Sequence, residues 1–370
     1  VSLMDYTVTV ISTGAALLGL ITGSLGTLAV VRKQSLIGDS VSHAALPGIV
    51  LAFILTGSKS PLIFTMGAIV VGWIGTLIVQ FMVRNSRLKF DTALASMLSV
   101  FFGLGLMLIS YLQKTPDASQ AGLEKFLFGQ AATLMRQDLF LMLVMGIVAF
   151  FLVILFWNVW KVMIFNPDYA QSIGIPVKLF DALLTFIQVI AIVIGLQIVG
   201  VVLMSAMLIA PAVAARHWSD KLGHMMIIAG VIGAVSSFAG ATLSTQIAGL
   251  PTGPVITISV TLAVVFSVFF ASGNGMLWKY ISRRSRKREL SMKLLIKSFY
   301  ELSLEHEEFS HPHDISVITL RLPDKYNLAG CLERGKNDGF IGNNGNKWFL
   351  TEKGLEYARK NENGGELYES

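Results

Sequence analysis

Residues 182–215 read ALLTFIQVIAIVIGLQIVGVVLMSAMLIAPAVAA and carry no charged side chain. A membrane-crossing helix needs about 20 mostly apolar residues, so this block is long for one span and short for two. Whether it breaks decides between eight and nine crossings. Working outward, comparable apolar stretches lie at 7–31, 40–57, 61–83, 92–113 and 138–160 on one side, and at 224–247 and 253–275 on the other. The block itself divides most naturally into 178–198 and 200–215. Of the 370 residues, 54% are hydrophobic and 14% charged, against roughly 25% charged in a soluble domain. A mean hydropathy of +0.66 excludes an ordinary soluble enzyme.

Charge is unevenly spread. Residues 1–275 hold 13 Lys/Arg and 9 Asp/Glu, whereas 276–370 hold 16 and 14. We therefore expect a transmembrane domain over 1–278, a basic linker over 279–289, a water-soluble domain over 290–360 and a flexible tail over 361–370. Net charge is +6, and the densest basic run, Arg283, Arg284, Arg286, Lys287 and Arg288, directly follows the last apolar stretch. That position suits a positive-inside anchor or anionic lipid better than nucleic acid. Further basic clusters flank the spans: Arg32 with Lys33, Arg84 with Arg87 and Lys89, Lys161, and Arg216 with Lys221. If all face the cytoplasm, nine spans place the N-terminus outside and the C-terminus inside. The segment 115–137 is too polar to span and is expected to form a short external or re-entrant helix. No basic n-region or cleavage site accompanies the first apolar stretch, which is read as a retained helix.

Gly14, Gly19, Gly23 and Gly26, and later Gly230, Gly233 and Gly240, suit close helix packing in lipid. Past the arginine run, Leu290, Leu294, Leu295, Phe299 and Leu302 recur at helical spacing. Residues 339–360, GFIGNNGNKWFLTEKGLEYARK, predict a strand, an Asn-Gly turn, a second strand and a helix capped by Thr351. The expected fold class is an all-α polytopic membrane protein with a small α/β, winged-helix-like C-terminal domain.

Ionisable residues inside spans are costly and mostly functional. One pair stands out in GDSVSHAALPG, 38–48, where Asp39 and His43 are four apart and share a helix face. The bland alternative makes Asp39 an N-cap and ties His43 to a neighbouring carbonyl, but it gives an intramembrane histidine no task. Two ligands are too few for a first-row divalent ion, and a two-fold dimer would bring two such pairs around one axis. Oxygen and nitrogen donors without sulfur suit Mn²⁺, Zn²⁺ or Fe²⁺ and disfavour Cu⁺. The single cysteine, Cys331, excludes a thiolate cluster. Pro47 and Gly48 follow one turn later, and such breaks occur on substrate pathways. Asp91 and Asp181 begin their spans and are expected to be interfacial caps. PTGPVIT, 251–257, is expected to end a helix, a break lining the pathway being the alternative. GCLERGKN, 330–337, imitates a phosphate loop but has Asn337 where Ser or Thr is needed.

GDSVSHAALPG, then DTALASMLSVFFGLGL at 91–106, then LIAPAVAAR at 208–216 together resemble the membrane subunit of manganese/zinc/iron ABC importers, over nearly all of residues 1–275. The resemblance implies an ABC importer permease fold and a homodimer in the bacterial cell membrane, multi-pass with its C-terminal domain in the cytoplasm. It also implies two copies of a separate ATPase subunit and an extracellular metal-binding lipoprotein as partners. By it, Asp39 and His43 match the translocation-site aspartate and histidine. NPDYAQSIGIP, 166–176, is similar to the ATPase-coupling segment, which places Asp168, Tyr169, Ala170 and Gly174 in that role. No permanently bound cofactor is implied, only the transported divalent metal, with Mn²⁺ foremost. LTEKGLEYA, 350–358, resembles the end of a winged helix of the iron- and manganese-dependent repressor type, and winged helices bind proteins as well as DNA.

Two other function classes compete. A proton-coupled secondary carrier would need a relay of membrane carboxylates, and apart from Asp39 the mid-span regions hold almost none. A membrane-tethered, metal-responsive regulator would bind DNA through the winged helix, but that module is nearly balanced in charge. His306, His311 and His313 crowd a short stretch that a regulatory metal would use, although a solvated acidic loop explains them as well.

Overall fold

The computed structural model describes residues 3–112, 129, 134–247, 250–271, 275–304, 311–314, 328–345 and 347–362. It separates into two compact units, Val1–Met276 and Leu277–Ser370. The expected external helix falls almost wholly outside the described residues, as do His306 and nearly all of the 361–370 tail.

The first unit is a helical bundle. Its elements are α1 (Leu3–Val31), α2 (Ile37–Thr56), α3 (Pro61–Asn85), α4 (Phe90–Leu112), α5 (Arg136–Leu155), α6 (Trp157–Phe165), α7 (Pro167–Ser172), α8 (Val177–Val199), α9 (Val201–Arg216), α10 (Leu222–Gln246) and α11 (Thr252–Phe270). Among the described residues eight of these are long and apolar enough to cross a membrane. The uncharged block is broken at Gly200, whose φ of 83° and ψ of 172° lie in a region open essentially only to glycine. Its amide still bonds back to the carbonyl of Leu196, so α8 closes normally before the chain turns. With 16 residues, α9 reaches about 24 Å, short of a full hydrocarbon core of about 30 Å. The block is therefore one full span followed by a short apolar helix.

Glycine sets how closely the helices approach. Gly19 of α1 and Gly233 of α10 face each other so tightly that a methyl on either would overlap the other's carbonyl oxygen. One turn on, the Ser24 hydroxyl donates to the carbonyl of Met226 at 3.1 Å. Lipid gives apolar surfaces no drive to associate, so such backbone proximity supplies the dispersion contact that holds the bundle. Gly48 and Gly67 join α2 to α3 in the same way.

The basic flanks gather at one end. Arg32, just past α1, and Arg84, in the last turn of α3, both pair with Asp181 in α8, the latter at 3.0 Å. Ala212 and Ala215 of α9 pack with Val30 and Val31 of α1 and with Met225 and Ala229 of α10. Asp181 is thus an ion-pair hub four residues inside α8, not the cap expected for it; the cap position belongs to Pro176, which makes no side-chain bond. Asp91 sits exposed in the first turn of α4, where a carboxylate favours the helix dipole. Pro251 is the N-cap of α11, so PTGPVIT begins that helix.

The second unit comprises α12 (Met276–Leu304), β1 (His313–Asp314), α13 (Leu328–Asn337), β2 (Ile341–Asn344), β3 (Lys347–Leu350) and α14 (Glu352–Glu362). The strands form an antiparallel sheet in the order β1-β3-β2, with Ile341 opposite Leu350 and Asn344 opposite Lys347. Gly345, at φ 65°, allows the Asn-Gly turn between β2 and β3. Leu295, Ile296, Phe299 and Leu302 of α12 bury themselves against Leu332, Ile341 and Leu350. Thr351 caps α14: its hydroxyl oxygen accepts from the Gly354 amide at 3.2 Å and its proton goes to the Gly339 carbonyl at 2.6 Å. The phosphate-loop imitation lies in α13, where the amides are spent within a helix.

Candidate functional site

Both Asp39 and His43 lie on α2, and their neighbours show what each is free to do. The α2 N-cap is Leu36, with no side-chain capping bond. Asp39 in the first turn is therefore not the cap that a purely structural role required. The serines around it are already engaged: Ser40 donates to the Leu94 carbonyl on α4 at 3.0 Å, and Ser42 to the Gly38 carbonyl at 2.6 Å. Among the described residues neither the Asp39 carboxylate nor the His43 imidazole has a hydrogen-bond or ion-pair partner, and His43 Nδ1 is buried without one. The imidazole instead meets Phe102 of α4 edge to face, with ring centroids 4.6 Å apart.

The depth of the pair follows from what flanks it. Val41, between Asp39 and His43, is buried; a methyl on Gly72 of α3 would lie 3.5 Å from it and 3.4 Å from Val189 of α8. Val189 is eight residues past Asp181, or about 12 Å along the helix. The pair accordingly sits well inside the bundle, away from the ring of basic residues. Both side chains are partly accessible rather than sealed. A carboxylate and an imidazole left without hydrogen-bond or ion-pair partners inside a bundle carry a desolvation cost that their surroundings among the described residues do not offset.

The expected coupling residues come together in a different place. The short helix α7 is capped by Asn166, whose Oδ1 accepts from the Tyr169 amide at 3.0 Å. Ala170 is fully buried in a cluster with Trp160, Leu28, Leu184 and Leu222. Asp168 and Tyr169 are exposed, with Phe165 and Ile173 bared beside them. Gly174, at φ 85° with open space around it, turns the chain away. An apolar tip is thus anchored by a single alanine at the basic end.

In the second unit His311 and His313 bring their rings to 5.5 Å. No group of three or more His, Cys, Asp or Glu that would hold a metal occurs among the described residues, so these two do not by themselves make a complete site. Sequence reasoning missed the Asp181 hub and two amides. Gln80 donates to the Asp181 carbonyl and to Thr185, at 3.3 and 3.1 Å. Gln188 is fully buried with both amide atoms unpartnered. The arginines had been legible only as span flanks, and no sequence pattern joins them to an aspartate some hundred residues away.

A bundle of eight membrane-length apolar helices, with an acid and an imidazole unpartnered inside it and exposed apolar residues at its basic end, defines a polytopic membrane protein. The family described as the ABC 3 transport family matches residues 4–271, and the chain belongs to it. It is 41% identical over 350 residues to the manganese transport system membrane protein MntC of Bacillus subtilis (strain 168), covering 93% of this chain and 79% of that protein. It is 42% identical over 280 residues to the zinc transport system membrane protein TroC of Treponema pallidum (strain Nichols), covering 76% of this chain and 94% of that one. Among solved structures it is similar to PsaBC from Streptococcus pneumoniae in complex with Fab, with a TM-score of 0.63 and 29% identity, over 72% of this chain and 92% of that chain. The similarity to MntC is long enough to run beyond the membrane unit into Leu277–Ser370.

Proposed function

We propose that the chain is the permease of an ATP-driven importer that carries a divalent transition metal, Mn²⁺ first and Zn²⁺ or Fe²⁺ as alternatives, past Asp39 and His43. The observation that carries this is the pair itself, partly accessible in the bundle interior with no partner among the described residues. Carboxylate oxygen and imidazole nitrogen are donors that such ions accept, and two per chain call for a second copy to complete the coordination. Names of the relatives, manganese for MntC and zinc for TroC, support the same cargo class.

The chain is a transport component, and ATP hydrolysis belongs to a separate subunit, two copies of which dock on the tip formed by Phe165, Tyr169 and Ile173. Positive-inside charge makes that end cytoplasmic. An extracellular metal-binding lipoprotein delivers the ion at the other end. The C-terminal unit is a cytoplasmic winged helix: helix, strand, helix, then a two-stranded wing in sheet order β1-β3-β2 support it. There His311 and His313 offer a two-imidazole edge for a regulatory ion, completed by other donors.

Uptake of radioactive Mn²⁺ into proteoliposomes holding the full assembly is the test. We expect uptake with hydrolysable ATP and none with a non-hydrolysable analogue. Uptake driven by a pH gradient, without the ATPase, would instead make the chain a secondary carrier.

A further inference from the structure

Four residues after His43 stands Pro47, inside a helix that continues without interruption from Ile37 to Thr56. In an α-helix the carbonyl of residue i accepts from the amide of residue i+4, and proline has no amide hydrogen. The carbonyl that loses its partner is therefore that of His43 itself. Inside a membrane such a group is normally satisfied by a nearby hydroxyl or a neighbouring helix. Among the described residues no hydroxyl and no amide from outside α2 donates to it, and the adjacent Ser40 and Ser42 hydroxyls are committed elsewhere. The two helices packed closest on this turn meet it without a donor side chain: α4 presents Gly105, where a methyl would lie 3.2 Å from Pro47 Cδ and 3.4 Å from its nitrogen, and α3 brings Gly67 and Val71 against Gly48.

We propose that the main-chain carbonyl of His43, released by Pro47, is an additional oxygen donor to the transported ion, and that Pro47 thereby determines which metal is preferred. The proposal rests on the assignment of the ion to Asp39 and His43. The released oxygen belongs to the same residue as the unpartnered Nδ1. Carbonyl oxygen suits Mn²⁺ better than Zn²⁺, for which imidazole is the stronger attraction. An added oxygen thus tilts a mixed aspartate and histidine site toward manganese.

Pro211 provides an internal control. It too lies inside a helix, α9, and by the same rule frees the carbonyl of Met207, but it packs beside Gly23 of α1. The experiment measures ATP-driven Mn²⁺ and Zn²⁺ uptake by the full assembly for Pro47→Ala, Pro47→Gly and Pro211→Ala. Alanine and glycine both restore the amide hydrogen while differing in helix stiffness. We expect both Pro47 variants to assemble and to lower the Mn²⁺ to Zn²⁺ uptake ratio about tenfold, the lower end of what changes beside a metal ligand cost. Pro211→Ala should keep the native ratio. A native ratio in the Pro47 variants, equal loss of both metals, or an equal shift in Pro211→Ala would overturn the proposal. Asp39→Ala and His43→Ala run alongside: native uptake in those two would show that the underlying site assignment, rather than the role of Pro47, has failed.

Discussion

Asp39 and Asp181 are carboxylates of one bundle with opposite fates. Asp181 lies at the basic end between Arg32 and Arg84, its charge more than cancelled. Asp39 lies about two turns deeper with no Lys or Arg paired to it among the described residues. Burying charge is costly unless it is paired. The first carboxylate therefore holds helices together, and the second, on the proposed function, stays unpaired for the arriving ion. Partnership, rather than membrane depth alone, separates the structural acid from the one proposed to meet the ion.

The widest contrast is expected from removing Asp39 or His43. Each alanine variant should lose metal uptake by about 100-fold, as expected for loss of a metal ligand or its close support, and should show no lower thermal midpoint than the native chain. Loss of uptake together with a large fall in the midpoint would erase the distinction from Asp181.

At the basic end, Tyr169→Ala should weaken ATPase binding about tenfold, since an exposed aromatic anchor at an interface contributes above about 1 kcal/mol. Pull-down of the ATPase by the solubilised chain checks it, and Mn²⁺ binding by the isolated chain should not change. Asp181→Ala should do the reverse. It leaves two arginines unpaired and should destabilise the membrane unit by about 2 kcal/mol, less than for a fully buried pair because Arg84 is partly exposed. Thermal unfolding in detergent measures this, and uptake per folded molecule should stay native. The smallest effect belongs to Thr351→Ala, which removes a helix cap and should cost about 1 kcal/mol in the second unit, with transport preserved. Limited proteolysis of residues 277–370 would register it.

Much of this was legible in the sequence because charge is scarce in a membrane segment. Asp39 and His43 stand out for that reason, and the eight long spans follow from hydropathy alone. The C-terminal hairpin was equally readable, since Asn344 and Gly345 name their own turn and Thr351 its own helix. The break at Gly200 was harder: apolar residues flank it on both sides, so hydropathy does not change across it, and only the backbone angle reveals the turn. Asp181 was misassigned because its partners come from two other helix ends, and position in a span favours the local explanation of a cap. Glycine spacing showed that helices approach closely, but not that Gly19 meets Gly233 or that Gly105 meets Pro47. Those pairings depend on how the bundle closes.

The most direct measurement is anomalous X-ray scattering at the manganese absorption edge from crystals of the full, transport-competent assembly grown with Mn²⁺. A peak within bonding distance of Asp39 and His43 is expected. A peak confined to other residues, with the pair empty, would contradict the site assignment.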